Sequence, residues 1–189
     1  MSETEPTARL FFALWPDEAM QAALAASVSA LVDLTNGRAV PASNFHLTLA
    51  FLGSVALSRM ASLHDIAARC AASCQTSALP LVVTLDTFEY WRRQRILCAT
   101  ASVTPPAAVA LARTLKRALT AGGFAPDVKP FRAHATFARK VHGAEDRLQA
   151  TPIRWSFEHL HLVESETHTE GSIYRTVASW RLGTVSARA

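Results

Sequence analysis

Two short segments of the chain combine residue types that acid–base chemistry uses. Residues 46–49 (HLTL) and 134–137 (HATF) each hold a histidine two positions before a threonine, with apolar residues between and after them. Side chains two positions apart along a strand point to the same face. On a strand, each segment would therefore present an imidazole and a hydroxyl side by side.

Two such pairs suit the opening of a phosphodiester without a metal. One group must take a proton from the attacking oxygen while another gives a proton to the leaving oxygen. Histidine, with a reference pKa of about 6.5, does either near neutral pH. Threonine hydroxyls donate to non-bridging phosphate oxygens. A single His-x-Thr would be explained more simply as a surface or core histidine, so the second copy is what favours catalysis.

Strict alternation predicts which residues share a face with the motifs. The predicted functional faces comprise His46, Thr48 and Ala50 on one strand, and His134, Thr136 and Ala138 on the other. The predicted core faces comprise Leu47, Leu49 and Phe51, and Ala135 and Phe137. The alanines would leave room for a ligand.

Hydrophobic periodicity predicts the elements that position these segments. Predicted strands cover residues 9–14, the two motif segments, 81–90, 95–103, 153–163 and 173–182, and predicted helices cover 17–35, 58–74 and 105–121. Helices and hairpin strands intermix, which favours an α+β fold over a doubly wound parallel sheet. The order of helix, hairpin and motif strand occurs loosely twice. We therefore expect two lobes, built on two antiparallel-type sheets flanked by helices, with one motif per lobe facing a central cleft.

Length and composition narrow the class of protein. A chain of 189 residues suits one bilobal domain, with residues 1–8 and 184–189 as flexible tails. No apolar run approaches the roughly 20 residues of a membrane span, and the polar start lacks a signal peptide, so we expect a cytoplasmic protein and no membrane partner. The net charge of +4 favours anionic ligands. Three cysteines without metal-ligand spacing fit a reducing compartment.

Longer blocks around the motifs resemble one known family. Residues 9–14 (RLFFAL), 44–53 (NFHLTLAFLG), 129–139 (KPFRAHATFAR) and 162–165 (LVES), with Gly171 and Tyr174, are similar to the RNA 2′,3′-cyclic phosphodiesterases, also called 2′-5′ RNA ligases, of the 2H phosphoesterase superfamily. The resemblance covers nearly the whole chain, in the family's order. One departure is Ala133, where a proline is usual.

The resemblance implies a bilobal α+β fold, no cofactor and no metal. It also implies hydrolysis of RNA 2′,3′-cyclic phosphate ends to 2′-phosphates and a reversible, ATP-independent 2′-5′ ligation. By analogy His46 is the proton donor and His134 the proton acceptor, although the sequence alone allows the reverse. Thr48, Thr136 and Arg139 would bind the phosphate. Strict alternation, however, places Arg139 on the face opposite His134, unless the strand ends or twists after Ala138.

Other features are open to more than one interpretation. His159 and His161 have a spacing that zinc sites use, but we expect both to be exposed and not to bind metal. The arginine-rich hairpin tip around residues 91–95 is either an RNA contact or a solvated turn, and Trp15 and Phe51 are candidates for base stacking. Two other functions fit the motifs: a non-catalytic RNA-end or phosphate-binding module, and a phosphodiesterase for a small cyclic nucleotide or ADP-ribose cyclic phosphate. We expect a monomer.

Overall fold

Three helices and eleven strands make up the described part of the chain. A computed structural model describes residues 5–74, 80–144, 147–148, 151–169 and 171–183. The elements in chain order are β1 (Thr7–Leu14), α1 (Glu18–Asp33), β2 (Arg38–Ala39), β3 (Leu47–Ala56), α2 (Met60–Ala72), β4 (Leu81–Leu85), β5 (Thr87–Trp91), β6 (Ile96–Thr100), α3 (Pro106–Ala121), β7 (His134–Arg139), β8 (Arg147–Leu148), β9 (Ile153–Phe157), β10 (His159–His168) and β11 (Gly171–Arg181). Two 3-10 turns, Ala42–Asn44 and Leu57–Arg59, precede β3 and α2.

The strands form two larger sheets and one small one. The first sheet has the order β11-β10-β1-β3, the second has the order β2-β7-β6-β5-β8, and β4 pairs with β9 alone. Every pairing is antiparallel. The first motif leads into β3 and the second lies on β7, so each larger sheet holds one motif. The predicted α+β class with two antiparallel sheets is confirmed.

Helices cover the outer faces of the two sheets. Helix α1 begins where the Asp17 carboxylate accepts a 2.8 Å hydrogen bond from the Met20 N–H, which satisfies one unpaired donor of the first turn. Its apolar stripe of Leu24, Val28 and Leu31 is buried, and the helix packs on β7 of the second sheet. Helices α2 and α3 pack together and against β10, β11 and β3 of the first sheet. The opposite faces of both sheets are left for the site.

Two predicted strands prove to be two strands each. The predicted strand 81–90 divides at Asp86 into β4 and β5, and the predicted strand 153–163 divides at Glu158 into β9 and β10. In both cases the chain leaves the small β4-β9 sheet and enters a larger one. Alternation of apolar residues continues through such a change of sheet, so the pattern does not reveal it.

The first strand starts earlier than predicted. Thr7 and Ala8 belong to β1 and lie opposite Ala56 and Val55 of β3, and Ala8 is only 8% exposed. The expected tail of residues 1–8 is therefore too long at its inner end. The other expected tail, residues 184–189, lies outside the described residues. No helix in the described part of the chain is long and apolar enough to cross a membrane.

Candidate active site

A β-bulge follows the first motif directly. Along the pairing of β1 with β3, Ala13 lies opposite Thr48 but Phe12 lies opposite Ala50, so Leu49 has no partner. An extra residue on one strand resets the alternation of side chains beyond it. Ala50 is consequently fully buried in the core, whereas Phe51 lines a cavity together with His46 and Thr48. The predicted faces of Ala50 and Phe51 were wrong.

The second motif has a bulge at the equivalent position. Cys98 of β6 lies opposite Thr136 and Leu97 lies opposite Ala138, so Phe137 has no residue opposite it on β6. Ala138 is fully buried, contrary to its predicted place beside His134. Arg139 is turned to the side of Thr136, and both line one cavity with His46. The bulge thus removes the objection that alternation raised against Arg139.

Each motif histidine is fixed through the same ring nitrogen. His46 Nδ1 lies 2.7 Å from the Asn44 carbonyl oxygen, and His134 Nδ1 lies 2.8 Å from the Arg132 carbonyl oxygen. A carbonyl only accepts hydrogen bonds, so Nδ1 must carry the hydrogen in both rings. In a neutral ring Nε2 is then the free acceptor.

The residues that supply these carbonyls are anchored by their own side chains. Asn44 Nδ2 donates to the Ser172 carbonyl at 2.9 Å, which ties it to β11. Arg132 donates to both Glu89 carboxylate oxygens at 2.8 Å. The same carboxylate accepts a 2.7 Å bond from Trp91 Nε1. Both imidazoles are therefore oriented by a carbonyl that is itself held in place.

A tryptophan ring packs against each imidazole. The Trp15 ring lies parallel to His46, with 4.9 Å between centroids and 3° between planes. The Trp91 ring lies 4.9 Å from His134, tilted by 40°. Tyr174 meets His46 edge-on at 5.2 Å. Trp15 thus stacks on the first imidazole, and Trp91 packs beside the second one. Arg92 and Arg93 of the hairpin tip are exposed.

Burial shifts both imidazoles toward the neutral form. Burial lowers the pKa of His46 to about 4. The hydrogen bond to the Asn44 carbonyl raises this pKa but is the smaller effect, and the charges of His134 and Arg139 lower it further. Burial also lowers the pKa of His134, although the hydrogen bond to the Arg132 carbonyl raises it. The positive charges of Arg132 and Arg139 lower this pKa as well. At neutral pH the His46 ring is therefore uncharged.

Two cavities meet at the first motif. One of about 300 Å³ is lined by His46, Thr136 and Arg139, and the other, of about 340 Å³, by His46, Thr48 and Arg139. Tyr174 borders both. Four of the five predicted site residues thus line these two cavities, and the charge of the fifth, His134, acts on His46.

The segment that leads to the second motif is bonded to the strand of the first. Asp127 Oδ1 accepts from the Phe51 N–H at 2.8 Å, and the Asp127 N–H donates to the Phe51 carbonyl at 2.9 Å. Lys116 of α3 donates to Asp127 Oδ2 at 2.8 Å. Asp127 therefore fixes the loop before β7 against β3, next to the first bulge.

The histidine pair on β10 differs from the prediction in one respect. His159 is exposed, as expected, but His161 is half-buried. Its buried Nδ1 has no hydrogen-bond partner among the residues that the structure describes. Burial, with the charge of His159, lowers the pKa of His161 to about 4. Within the described residues no group of three or more His, Cys, Asp or Glu could hold a metal ion.

Several residues that shape the site carry no signal in the sequence. Glu89 and Arg132 are 43 positions apart and Phe51 and Asp127 are 76 apart, so only the fold brings them together. Lys140 and Arg38 line the first cavity, although neither belongs to a motif. They line the cavity because β2 pairs with β7. A strand of two residues is too short to be predicted from the sequence pattern.

Solved structures share this architecture. LigT from Escherichia coli in apo form matches with a TM-score of 0.78 at 24% identity, over 96% of this chain and 100% of LigT. LigT is also solved as a complex with 3′-AMP. A protein from Thermus thermophilus matches with a TM-score of 0.76 at 25% identity, over 93% of this chain and 98% of that one. These likenesses establish the fold.

The sequence assigns the family. The family model of the 2′-5′ RNA ligase superfamily matches residues 16–169, and the chain belongs to that superfamily. It is also similar to the RNA 2′,3′-cyclic phosphodiesterase of Escherichia coli K12, with 31% identity over 121 residues. That alignment spans 64% of this chain and 65% of the relative, slightly under two thirds of the relative's length.

Proposed function

We propose that the protein hydrolyses RNA 2′,3′-cyclic phosphate ends to 2′-phosphates without a metal, with His46 as proton donor and His134 as proton acceptor. The observation that carries this proposal is the matched tethering of the two imidazoles. Each ring is held through Nδ1 by a carbonyl two residues earlier, which leaves Nε2 for the substrate. The phosphodiesterase activity in the name of the Escherichia coli relative supports the same substrate.

The proposed reaction uses Nε2 of both rings. Nε2 of neutral His134 takes a proton from a water molecule, whose oxygen attacks phosphorus. The bond from phosphorus to O3′ breaks, and O3′ takes the proton from Nε2 of protonated His46. The products are a 2′-phosphate and a 3′-hydroxyl, and proton exchange with solvent resets the two rings. Replacing water by the 5′-hydroxyl of a second RNA gives the 2′-5′ linkage, so ligation uses the same groups.

Three side chains would stabilise the charge on the phosphate. The hydroxyls of Thr48 and Thr136 donate to its non-bridging oxygens, and the Arg139 guanidinium supplies positive charge from the end of β7. All three line the cavities that meet at His46. Loss of one threonine hydroxyl is expected to cost about 10- to 100-fold in rate.

The first test is turnover and product identity. An RNA ending in 2′,3′-cyclic phosphate is incubated with the protein, with and without a chelator, and the product isomer is identified. We expect a 2′-phosphate in both cases, and a loss of about 100-fold or more for His46→Ala and for His134→Ala while both variants remain folded. Normal turnover by both variants, or a strict need for metal, contradicts the proposal.

A sulfur substitution separates donor from acceptor. In a cyclic phosphate with sulfur in place of O3′, the leaving thiolate needs no proton. The His46→Ala variant should then recover most of its lost rate, whereas His134→Ala should not. Recovery by His134→Ala alone would reverse the two roles. Binding of cyclic-phosphate RNA with no product after long incubation would instead indicate a non-catalytic RNA-end module.

A further inference from the structure

The cavity of about 300 Å³ extends beyond the space that one phosphate needs. It shares Thr136 and Arg139 with the proposed reaction centre, and on the side of β2 it reaches Arg38 and Lys140. Its volume and its continuity with the centre leave room for a second group of the same substrate. The residue types on the β2 side of the cavity therefore indicate which second chemical group of the substrate could bind there.

The far side of the cavity gathers positive charge. Arg38 of β2 lies directly opposite Arg139 of β7 in the antiparallel pairing, and Lys140 follows Arg139 in the chain. An anion in this part of the cavity would form charge-assisted hydrogen bonds with these side chains.

Lys140 occupies a backbone conformation that disfavours a lysine. Its φ is 56°, in the left-handed region that glycine and asparagine adopt at less cost. The next residue is fixed, because the Val141 N–H donates to the Arg95 carbonyl at 3.0 Å and the Val141 carbonyl accepts from Tyr90 at 3.1 Å. Within the described residues the Lys140 ammonium has no hydrogen bond or ion pair. Strained residues of this kind concentrate at functional sites.

We propose that Arg38 and Lys140 form a second phosphate subsite, which binds the phosphate 5′ to the ribose that carries the cyclic phosphate. This inference rests on the proposed function, because the cyclic phosphate places the ribose. The group bound is either a terminal 5′-phosphate or the phosphodiester to the preceding nucleotide, which present the same anionic oxygens. The preferred substrate is then a nucleotide with two phosphate groups, not a nucleoside cyclic phosphate.

The decisive experiment measures binding without turnover. Calorimetric titration compares 2′-AMP, the expected type of product, with adenosine 2′,5′-bisphosphate. The wild-type protein should bind the bisphosphate roughly 10-fold more tightly or better. Glycine suits the left-handed backbone at position 140, and in Lys140→Gly the preference for the bisphosphate should fall to about 3-fold or less. Equal affinities in the wild type, or an unchanged preference in Lys140→Gly, would overturn the subsite.

A matched variant controls for general loss of charge. Arg113 is an exposed arginine on α3, the helix that packs behind β3. Glycine would destabilise the helix at this position, so Arg113→Ala is the suitable change, and it should keep the full bisphosphate preference. A loss of preference in Arg113→Ala equal to that in Lys140→Gly would mean long-range electrostatics rather than a site. Thermal unfolding of Lys140→Gly should show a midpoint at or above that of the wild type.

A turnover arm separates this inference from the proposed function. Rates are compared for adenosine 2′,3′-cyclic phosphate, its 5′-phosphorylated form and a dinucleotide ending in the cyclic phosphate. No hydrolysis of any of them refutes the proposed function, while the binding titration still decides the subsite. Hydrolysis of all three with equal kcat/KM refutes the subsite alone. An advantage for the dinucleotide only would assign the subsite to internucleotide phosphodiesters, whereas an advantage for both phosphorylated forms supports it as stated.

Discussion

At the scale of single residues, the site depends on how the two imidazoles are held. His46 and His134 each donate a hydrogen bond from Nδ1–H to a backbone carbonyl, and each packs against a tryptophan ring. The residue types that we propose for the chemistry were predicted from the sequence alone. Their protonation could not be predicted in this way, because the low pKa of His46 comes from burial and from two charges that the fold brings near.

A neutral His46 must gain a proton before it can donate one. Its pKa of about 4 leaves it uncharged at pH 7, and the negative charge of a bound phosphate raises that pKa. Binding should therefore take up protons and become tighter as pH falls from about 7 toward 5. In His134→Asn, which blocks turnover, calorimetry with a nucleoside 2′,3′-cyclic phosphate in buffers of different ionisation heat measures the uptake by His46. Heats that do not depend on the buffer would contradict the donor role.

The His46→Asn/His134→Asn double variant is the control for this measurement. It lacks both imidazoles, and the cyclic diester itself does not titrate in this range. Proton uptake should disappear in the double variant. Uptake that persists there would have to come from another group, and the assignment to His46 would fail.

At the scale of elements, the two bulges decide which side chains reach the cleft. Leu49 and Phe137 are ordinary strand residues, so nothing in the sequence marks them as the extra residues. Alternation therefore predicts the strands and the faces of the motif residues themselves, but it fails one step beyond each threonine. Beyond the bulges, Phe51 stands in the first lobe where Arg139 stands in the second. The two motifs thus match in their histidines and threonines, but they differ at the position three residues after the threonine.

Moving the arginine by one position tests the second bulge. Arg139→Ala should lose about 10- to 100-fold in rate, because a charge-assisted contact to the phosphate is removed. The double variant Ala138→Arg/Arg139→Ala should not recover that rate. Position 138 faces the core, and a buried guanidinium should also lower the unfolding midpoint. A folded double variant with restored activity would show a strand without the bulge.

At the scale of the whole molecule, the lobes are not successive halves of the chain. The first sheet takes β1 and β3 from the start and β10 and β11 from the end, while the second sheet comes from the middle and from β2. The sequence pattern predicted two sheets, the helices and one motif in each lobe. It did not predict this interleaving, because pairings between distant strands leave no local periodicity. Asp127, which bonds the loop before β7 to β3, holds the two motif strands in a fixed relation.

Loss of that carboxylate should affect activity through geometry. Asp127→Ala leaves the Phe51 N–H without its acceptor and Lys116 with only the Lys129 carbonyl, so we expect roughly 1–3 kcal/mol less stability and a lower kcat. Asp127→Asn keeps an acceptor for Phe51 and should retain most of the activity. Asp65→Ala, at an exposed position on α2, is the matched control. Full activity in Asp127→Ala would remove Asp127 from the positioning of the motifs.

The place of β1 in the first sheet has a consequence for the order of folding. Leu10 lies opposite both Gly53 and Glu164, so β1 sits between an early strand and a very late one. During synthesis all strands of the second sheet leave the ribosome before β10, so this sheet can form while one edge of β1 is still unpaired. Contacts so distant in sequence make folding slow and leave that edge exposed in the meantime. The nascent chain should therefore complete the cleft between the two motifs only in the last step of folding, when β10 and β11 join the first sheet.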